Sequence, residues 1–255
     1  MGSATLDLCE EPSVAGLVSS IQPGDAVVMA AALTPEKGRD AATMIRNVRM
    51  AEHVAAAMQA RPFGQLVYLS SDAVYDGSIS TVSEDTPAAP GDLYGLMHRA
   101  RELTLREAAG RAGVEFCVLR PCAIYGPGDT HNSYGPNRFV RSALKDRRIQ
   151  IFGLGEETRD HVYIADVVRI TRLAIAHRSS GVLNVVSGRT ISFGDLARKV
   201  AELTGGTATI ESLPRKGPVT HKSFDAAAIK ESFPGHFPTP LDEGLRDTIA
   251  AFSHG

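Results

Sequence analysis

The chain has 255 residues, 43% of them hydrophobic and 22% charged, the proportions of an ordinary globular protein long enough to bury a sizeable core. Its 27 lysines and arginines against 29 acidic residues leave a formal charge of −2, which excludes a general polyanion binder and leaves only a local basic patch to grip a phosphate. No apolar run approaches the ~20 residues that span a bilayer. The N-terminus shows no basic and long apolar signal regions, and Cys9, Cys117 and Cys122 lack the paired spacing of a disulfide framework or zinc knuckle. The expectation is a soluble, cytoplasmic protein without membrane or nucleic-acid partners.

The elements alternate in type along the chain. Asp25–Leu33 is an uncharged apolar run after Pro23-Gly24 and reads as a strand buried on both faces. Residues 38–60 carry Ala42, Ile45, Met50, Val54 and Met58 at helical spacing, ended by Pro62 and Gly64. Leu66–Leu69 is a second buried strand running into Ser70-Ser71. Asp92 can cap a helix to about residue 112, and Val114–Leu119 is a third strand. A loop rich in Gly, Pro and Asn covers 121–136; then come a helix near 137–146, a strand at Ile149–Phe152 and a helix from Asp166 to His177. Val182–Val186 is another strand, and helices at 192–203 and 241–252 complete the pattern. Such alternation predicts an α/β fold, a doubly wound parallel sheet covered on both faces. The expected Rossmann-like core is 1–127 with 160–188, and 128–159 with 189–255 form a small substrate-binding lobe over the carboxyl ends of the strands.

Ser70 and Ser71 stand where a parallel strand ends, the place such sheets put ligands; they also suit an ordinary strand-end turn. Tyr94 and His98 are an i, i+4 pair on one helix face, able to meet a common ligand. A tyrosine working as acid or base needs nearby positive charge or a hydrogen bond to its phenolate. Arg138, Arg141, Lys145, Arg147 and Arg148 form a basic run around a helix, a solvated face from which Arg138 enters as the best ligand candidate. His131 and His161 lack metal-ligand spacing, so no metal is expected. Cys122 has no evident activating base.

Taken in order, Ser71–Tyr75, Tyr94–His98, Leu119–Pro127 and Gly153–Asp166 are joined by Leu183–Gly188 and Asp225. This series resembles the extended short-chain dehydrogenase/reductases, and among them the NAD-dependent epimerase/dehydratases that act on nucleotide sugars. The resemblance runs from about Leu6 to Thr248. It implies that Ser71 holds a substrate hydroxyl or carbonyl and that Tyr94 is the general acid/base, with His98 in the catalytic group. It puts Ala31, Ala32, Asn47, Ser70, Tyr94, His98 and Pro121 around an NAD or NADP cofactor. Asn137 and Arg159 match positions that contact the nucleotide and diphosphate of a sugar nucleotide, and Asp72 and Arg138 join the substrate set. A fixed guanidinium suits diphosphate; alternatively Arg159 forms a salt bridge to Asp160 or Asp166. Such enzymes often pair as homodimers through helices like 38–60 and 92–112.

Two departures stand out. The family's lysine is His98, which can bond a ribose hydroxyl but stabilises a phenolate only when protonated; His98→Lys is expected to raise turnover or widen its pH range. No glycine-rich phosphate loop follows the first strand. Leu6–Leu8 resembles the end of the family's third strand and Asp25–Leu33 its fourth, leaving on the order of 60 residues unmatched. A shortened N-terminus, an oligomer covering the strand edge, and a rearranged N-terminus all remain open. Ala73 replaces a glutamate typical of the family's dehydratases, and Ala123 an asparagine common in its epimerases. The expected activity is NAD(P)-linked epimerisation or reduction of a nucleotide-activated sugar. A non-catalytic binding or regulatory protein and a reductase of a small non-sugar carbonyl compound are the alternatives.

Overall fold

The computed structural model describes residues 6–129, 132–215 and 217–253; His131 lies outside them. In chain order the first elements are α1 (Ser13–Ser20), β1 (Ala26–Met29), α2 (Ala41–Ala60), β2 (Gln65–Leu69), a 3-10 turn (Asp72–Val74), β3 (Thr81–Val82), α3 (Leu93–Ala112), β4 (Glu115–Pro121) and β5 (Ala123–Tyr125). Then follow α4 (Pro136–Asp146), β6 (Arg148–Phe152), β7 (Thr158–Tyr163), α5 (Ile164–Ala176), β8 (Gly181–Val185), β9 (Thr190–Ser192), α6 (Phe193–Leu203), β10 (Thr209–Leu213), β11 (Ser223–Phe224), α7 (Ala227–Ser232) and α8 (Leu241–Ser253).

These elements form two units. The first takes the chain up to Gly77, Glu84–Pro121 and Ile170–Asn184; the second takes Ser78–Ser83, Cys122–Arg169 and the chain from Val185 on. In the first, a four-stranded sheet has the order β1-β2-β4-β8. Its pairs β1–β2 and β2–β4 are parallel, with Val28 opposite Val67 and Val67 opposite Cys117. Helices α2 and α3 begin where the sequence can cap them. Asp40 accepts from the Thr43 amide and Asp92 from the Gly95 amide, each at 2.8 Å. Gly113, left-handed at φ 66°, closes α3. Met50, Val54, Ala57 and Met58 of α2 and Leu105 and Ala109 of α3 pack with Leu66, Tyr68 and Val118 of the sheet. Ile45, counted with the apolar face by spacing, is 52% exposed.

The first strand differs from expectation. β1 is the sheet's edge, paired among the described residues with β2 alone; Ala26 and Val28 are exposed, so it is not buried on both faces. Leu6–Leu8 is not strand either. Asp7 turns the chain there, its carboxylate accepting from the Cys9 amide at 2.9 Å and its carbonyl from the Glu10 amide at 3.0 Å. The turn leads into α1, which seats Leu17 in the core beside α2.

The second unit is built from three small sheets, β5-β7-β9, β6 with β10, and β3 with β11. Its core gathers Phe139 and Val140 of α4, Ile149 and Ile151 of β6, Leu196 and Val200 of α6, and Leu245 of α8. No helix among the described residues is long and apolar enough to cross a membrane.

Candidate active site

In the first unit the end of β2 and the start of α3 are forced together. Gly95 makes this contact, for a Cβ there would run into the Ala73 carbonyl oxygen and, at 2.8 Å, Pro90. The turn itself is set by Ser71, whose hydroxyl accepts from the Ala73 amide at 3.1 Å. Ser71 and Tyr94 therefore stand on adjoining backbone, both half-buried. Tyr94 borders a cavity of about 170 Å³ that Asn47, Leu33, Thr43 and Met97 also line.

Burial pushes the Tyr94 phenol up to about 12; Asp72 and Glu36 add to the rise, while the Arg101 charge and the Ser71 hydroxyl pull it down. The phenol is protonated at neutral pH and poised to donate. His98 meets Tyr94 edge-on, ring centres 4.8 Å apart, and its Nδ1 bonds the Tyr68 hydroxyl at 2.6 Å. Burial, reinforced by Arg101, drops the imidazole to about 3. His98 is therefore neutral and brings Tyr94 no charge.

Other expected residues serve the scaffold. Ser70 donates its hydroxyl to Glu102 at 2.7 Å, inside a buried network: Arg120 makes a two-pronged pair with Glu102 at 2.9 and 2.7 Å and reaches the Tyr75 hydroxyl at 2.9 Å. The Ser70 hydroxyl is thus engaged within this network. Asn47 accepts from the Leu33 amide at 2.8 Å and donates to the Leu33 and Thr43 carbonyls. It pins the loop after β1. Pro121 ends β4, buried. Asp72 opens the 3-10 turn beside Ser71.

Asn137, Arg138 and Arg159 belong to the second unit. Asn137 clips Gly126 through both its amide and carbonyl at 3.1 Å and donates to Asp129 at 2.6 Å, which leaves it a loop lock. Arg138 borders a small surface cavity with Asp146 and Arg148. Arg159 forms neither of the salt bridges considered for it. Its Nη1 donates to the Thr158 and Thr220 carbonyls and its Nη2 to the Thr220 hydroxyl at 2.7 Å. Of five guanidinium hydrogens, Nε–H and one on Nη2 have no partner among the described residues. Asp160 instead accepts from Ser187 and Gly188, and Asp166 from Thr239 and Arg169. Cys122 points its thiol at Asp160, 3.6 Å away. No cluster of three metal-ligating side chains occurs among the described residues.

One buried polar atom beside Tyr94, His98 Nε2, suits the ribose of a dinucleotide. A cavity of about 750 Å³ runs along β1, lined by Ala31, Ala32, Met29, Lys37 and Arg46, and His98 Nε2 is buried with no hydrogen-bond partner among the described residues. A diphosphate finds no glycine cradle, since the Leu33 amide is taken by Asn47. Sequence comparison decides the family: its profile matches residues 3–186. The chain belongs to the NAD-dependent epimerase/dehydratase family.

Among its relatives in this family is the UDP-N-acetyl-alpha-D-glucosaminuronate decarboxylase of Bacillus cytotoxicus, 26% identical over 74% of this chain. The chain spans 63% of that enzyme's length. The dTDP-4-dehydro-6-deoxy-D-allose reductase of Streptomyces bikiniensis is also 26% identical, over 97% of this chain and 80% of its own. UDP-glucose 4-epimerase of Thermotoga maritima, solved with UDP-glucose, superposes with a TM-score of 0.84 at 26% identity, covering 97% of this chain and 82% of that one. The Rossmann-like α/β fold of the family is therefore this chain's fold.

Proposed function

We propose that the protein carries out NAD(P)-linked epimerisation or reduction at a hydroxyl- or carbonyl-bearing carbon of a nucleotide-activated sugar. The observation that carries this reading is the seating of Tyr94 against Ser71 by the Gly95 contact. The bound cofactor supplies or accepts a hydride at the reacting carbon. Ser71 orients the substrate oxygen, and Tyr94, protonated at rest, donates its phenolic proton to a carbonyl oxygen as the alcohol forms. In the reverse sense the phenolate takes that proton back, so one residue serves both directions. His98 Nε2 would meet the cofactor's ribose. The reductase, decarboxylase and epimerase named above all carry UDP- or dTDP-linked substrates in their names, and the two unpartnered hydrogens of Arg159 form a fork that suits a diphosphate.

The test has two stages. Calorimetry with NAD, NADH, NADP and NADPH should show binding by the folded chain, and UDP- and dTDP-4-keto sugars should then oxidise the reduced cofactor. Absence of binding by a monodisperse, folded sample refutes the reading. Arg159→Ala should abolish turnover of nucleotide sugars; unchanged turnover would point instead to a small carbonyl substrate. Pairing of two copies through α2 and α3 is part of the proposal. Ile45, Leu96 and Leu103 lie exposed on those helices, and sedimentation should report a dimer that Leu96→Lys with Leu103→Lys dissociates.

A further inference from the structure

A tyrosine that must pass through phenolate is favoured by a cation nearby as well as by a hydrogen bond, and neutral His98 does not provide the charge. The face of α3 that carries Tyr94 and His98 continues, at i+7, to Arg101. Side chains on a helix lean towards its N-terminus, so the long Arg101 side chain reaches back towards Tyr94. Arg101 is wholly buried. Its Nη2 donates to the Ala31 carbonyl at 2.6 Å, and its Nη1 approaches the Met97 sulfur at 3.9 Å. Its guanidinium carbon lies 5.0 Å from the centre of the Tyr68 ring, the same tyrosine whose hydroxyl holds His98. Nε has no partner, and no carboxylate pairs with Arg101 among the described residues. The next residue, Glu102, is taken by Arg120 and Arg99.

A buried guanidinium without a counter-ion is costly, and this one lies two helical turns from Tyr94 on the same face of α3, against the Tyr68 ring whose hydroxyl holds His98. We propose that Arg101 is the cation that stabilises the Tyr94 phenolate, in the role left vacant by His98. The proposal rests on Tyr94 being the acid/base group, and makes Arg101 a positioning residue acting through it. Apart from Arg39 on the rim of the cavity, the other charged and titratable groups around Tyr94 oppose ionisation or are neutral. Asp72 from the 3-10 turn and Glu36 from the loop after β1 repel a phenolate. Tyr68 of β2 and His98 are uncharged at neutral pH. Arg39, Asp40 and Asp92 line the cavity on which Tyr94 opens. Cys9, from the turn before α1, is the remaining titratable group that acts on Arg101.

The test replaces Tyr94 with 3,5-difluorotyrosine, whose phenol ionises within the pH range where the protein is folded. No tryptophan occurs in the chain, so phenolate absorbance near 295 nm is uncluttered. In the Arg101→Gln background, which keeps a donor for the Ala31 carbonyl, the ionisation constant should fall by about tenfold. Arg101→Lys should restore most of it. Arg101→Met, neutral and apolar, gives the same reading if the glutamine variant folds poorly. An unchanged midpoint in a folded neutral variant overturns the proposal, even if its melting temperature drops. Failure of cofactor binding or turnover in the unsubstituted protein would refute the enzymatic reading while leaving this titration to be judged by itself.

Discussion

The Glu102–Arg120 pair offers the sharpest measurement of what holds the first unit together. The Glu102 side chain is fully buried and that of Arg120 is 4% exposed; the carboxylate takes two bonds from Arg120, one from Ser70 and one from Arg99. Burial alone would raise the Glu102 carboxyl, but these donors, Arg120 foremost, outweigh it and hold it below the usual carboxylate range. Glu102→Leu leaves a buried guanidinium bonded only to Tyr75, and Arg120→Met leaves a buried carboxylate with Ser70 and Arg99. Each should cost about 3–5 kcal/mol. Replacing both removes the two charges together and strands mainly the Ser70 hydroxyl, at about 1–3 kcal/mol, which the apolar exchange offsets. The double variant should therefore lie within about 2 kcal/mol of the parent, a coupling of at least ~4 kcal/mol. Urea unfolding followed by circular dichroism measures all four proteins. Single losses under ~1 kcal/mol, or additive ones, would refute the reasoning. Because the folded pKa is lowered, the pair's contribution is present above the unfolded carboxyl value and is lost as acid takes the pH through the folded one.

Three further outcomes are expected. Gly95→Ala should lower the melting temperature, because overpacking against Ala73 and Pro90 costs about 1–3 kcal/mol, whereas helix propensity alone predicts a gain of about 1 kcal/mol; the sign of the shift decides. His98 and His161 are buried neutral, at about 3 and about 4, while unfolded histidine titrates near 6.5. Stability should be level above that value and fall with acid at about 1.4 kcal/mol per pH unit for each imidazole, and urea midpoints equal at pH 7.5 and 5.5 would contradict this. His98→Lys, favoured by the family pattern alone, now sets a second cation beside Arg101. It should destabilise the fold and recover when combined with Arg101→Gln, so a single variant as stable as the parent in thermal melts would count against that crowding.

The long helices were legible because their signals are local. Asp92 before α3 is a cap, and the 50, 54, 58 spacing of α2 is the stripe that the core receives. Helix α1 was not legible, since Gly16, Ser19 and Ser20 are poor helix formers and its existence depends on Leu17 packing against α2. β7 carries charge at Arg159 and Asp160, and the distant Ser187 and Gly188 help make burial of Asp160 tolerable. Within the candidate site, Ser71 and Tyr94 stand out by their order in the chain. Arg101 and Glu102 were missed, although Arg101 interrupts an apolar face of Met97, Leu105 and Ala108, and Arg120 interrupts the apolar run of β4. A charge on a core-facing stripe predicts a buried partner or a task, and its partner's position is written only in three dimensions.

The bare flank of β1 bears on how the protein behaves at high concentration. Its outer backbone amides and carbonyls have no ladder among the described residues, and Val28 beside them is 39% exposed without a lysine or proline on the strand to discourage pairing. Growth of the sheet by stray chains is then limited mainly by how rarely two such flanks meet. Turbidity that rises steeply with protein concentration, rather than with temperature, is the mark this edge would leave on a storage buffer or a crystallisation drop.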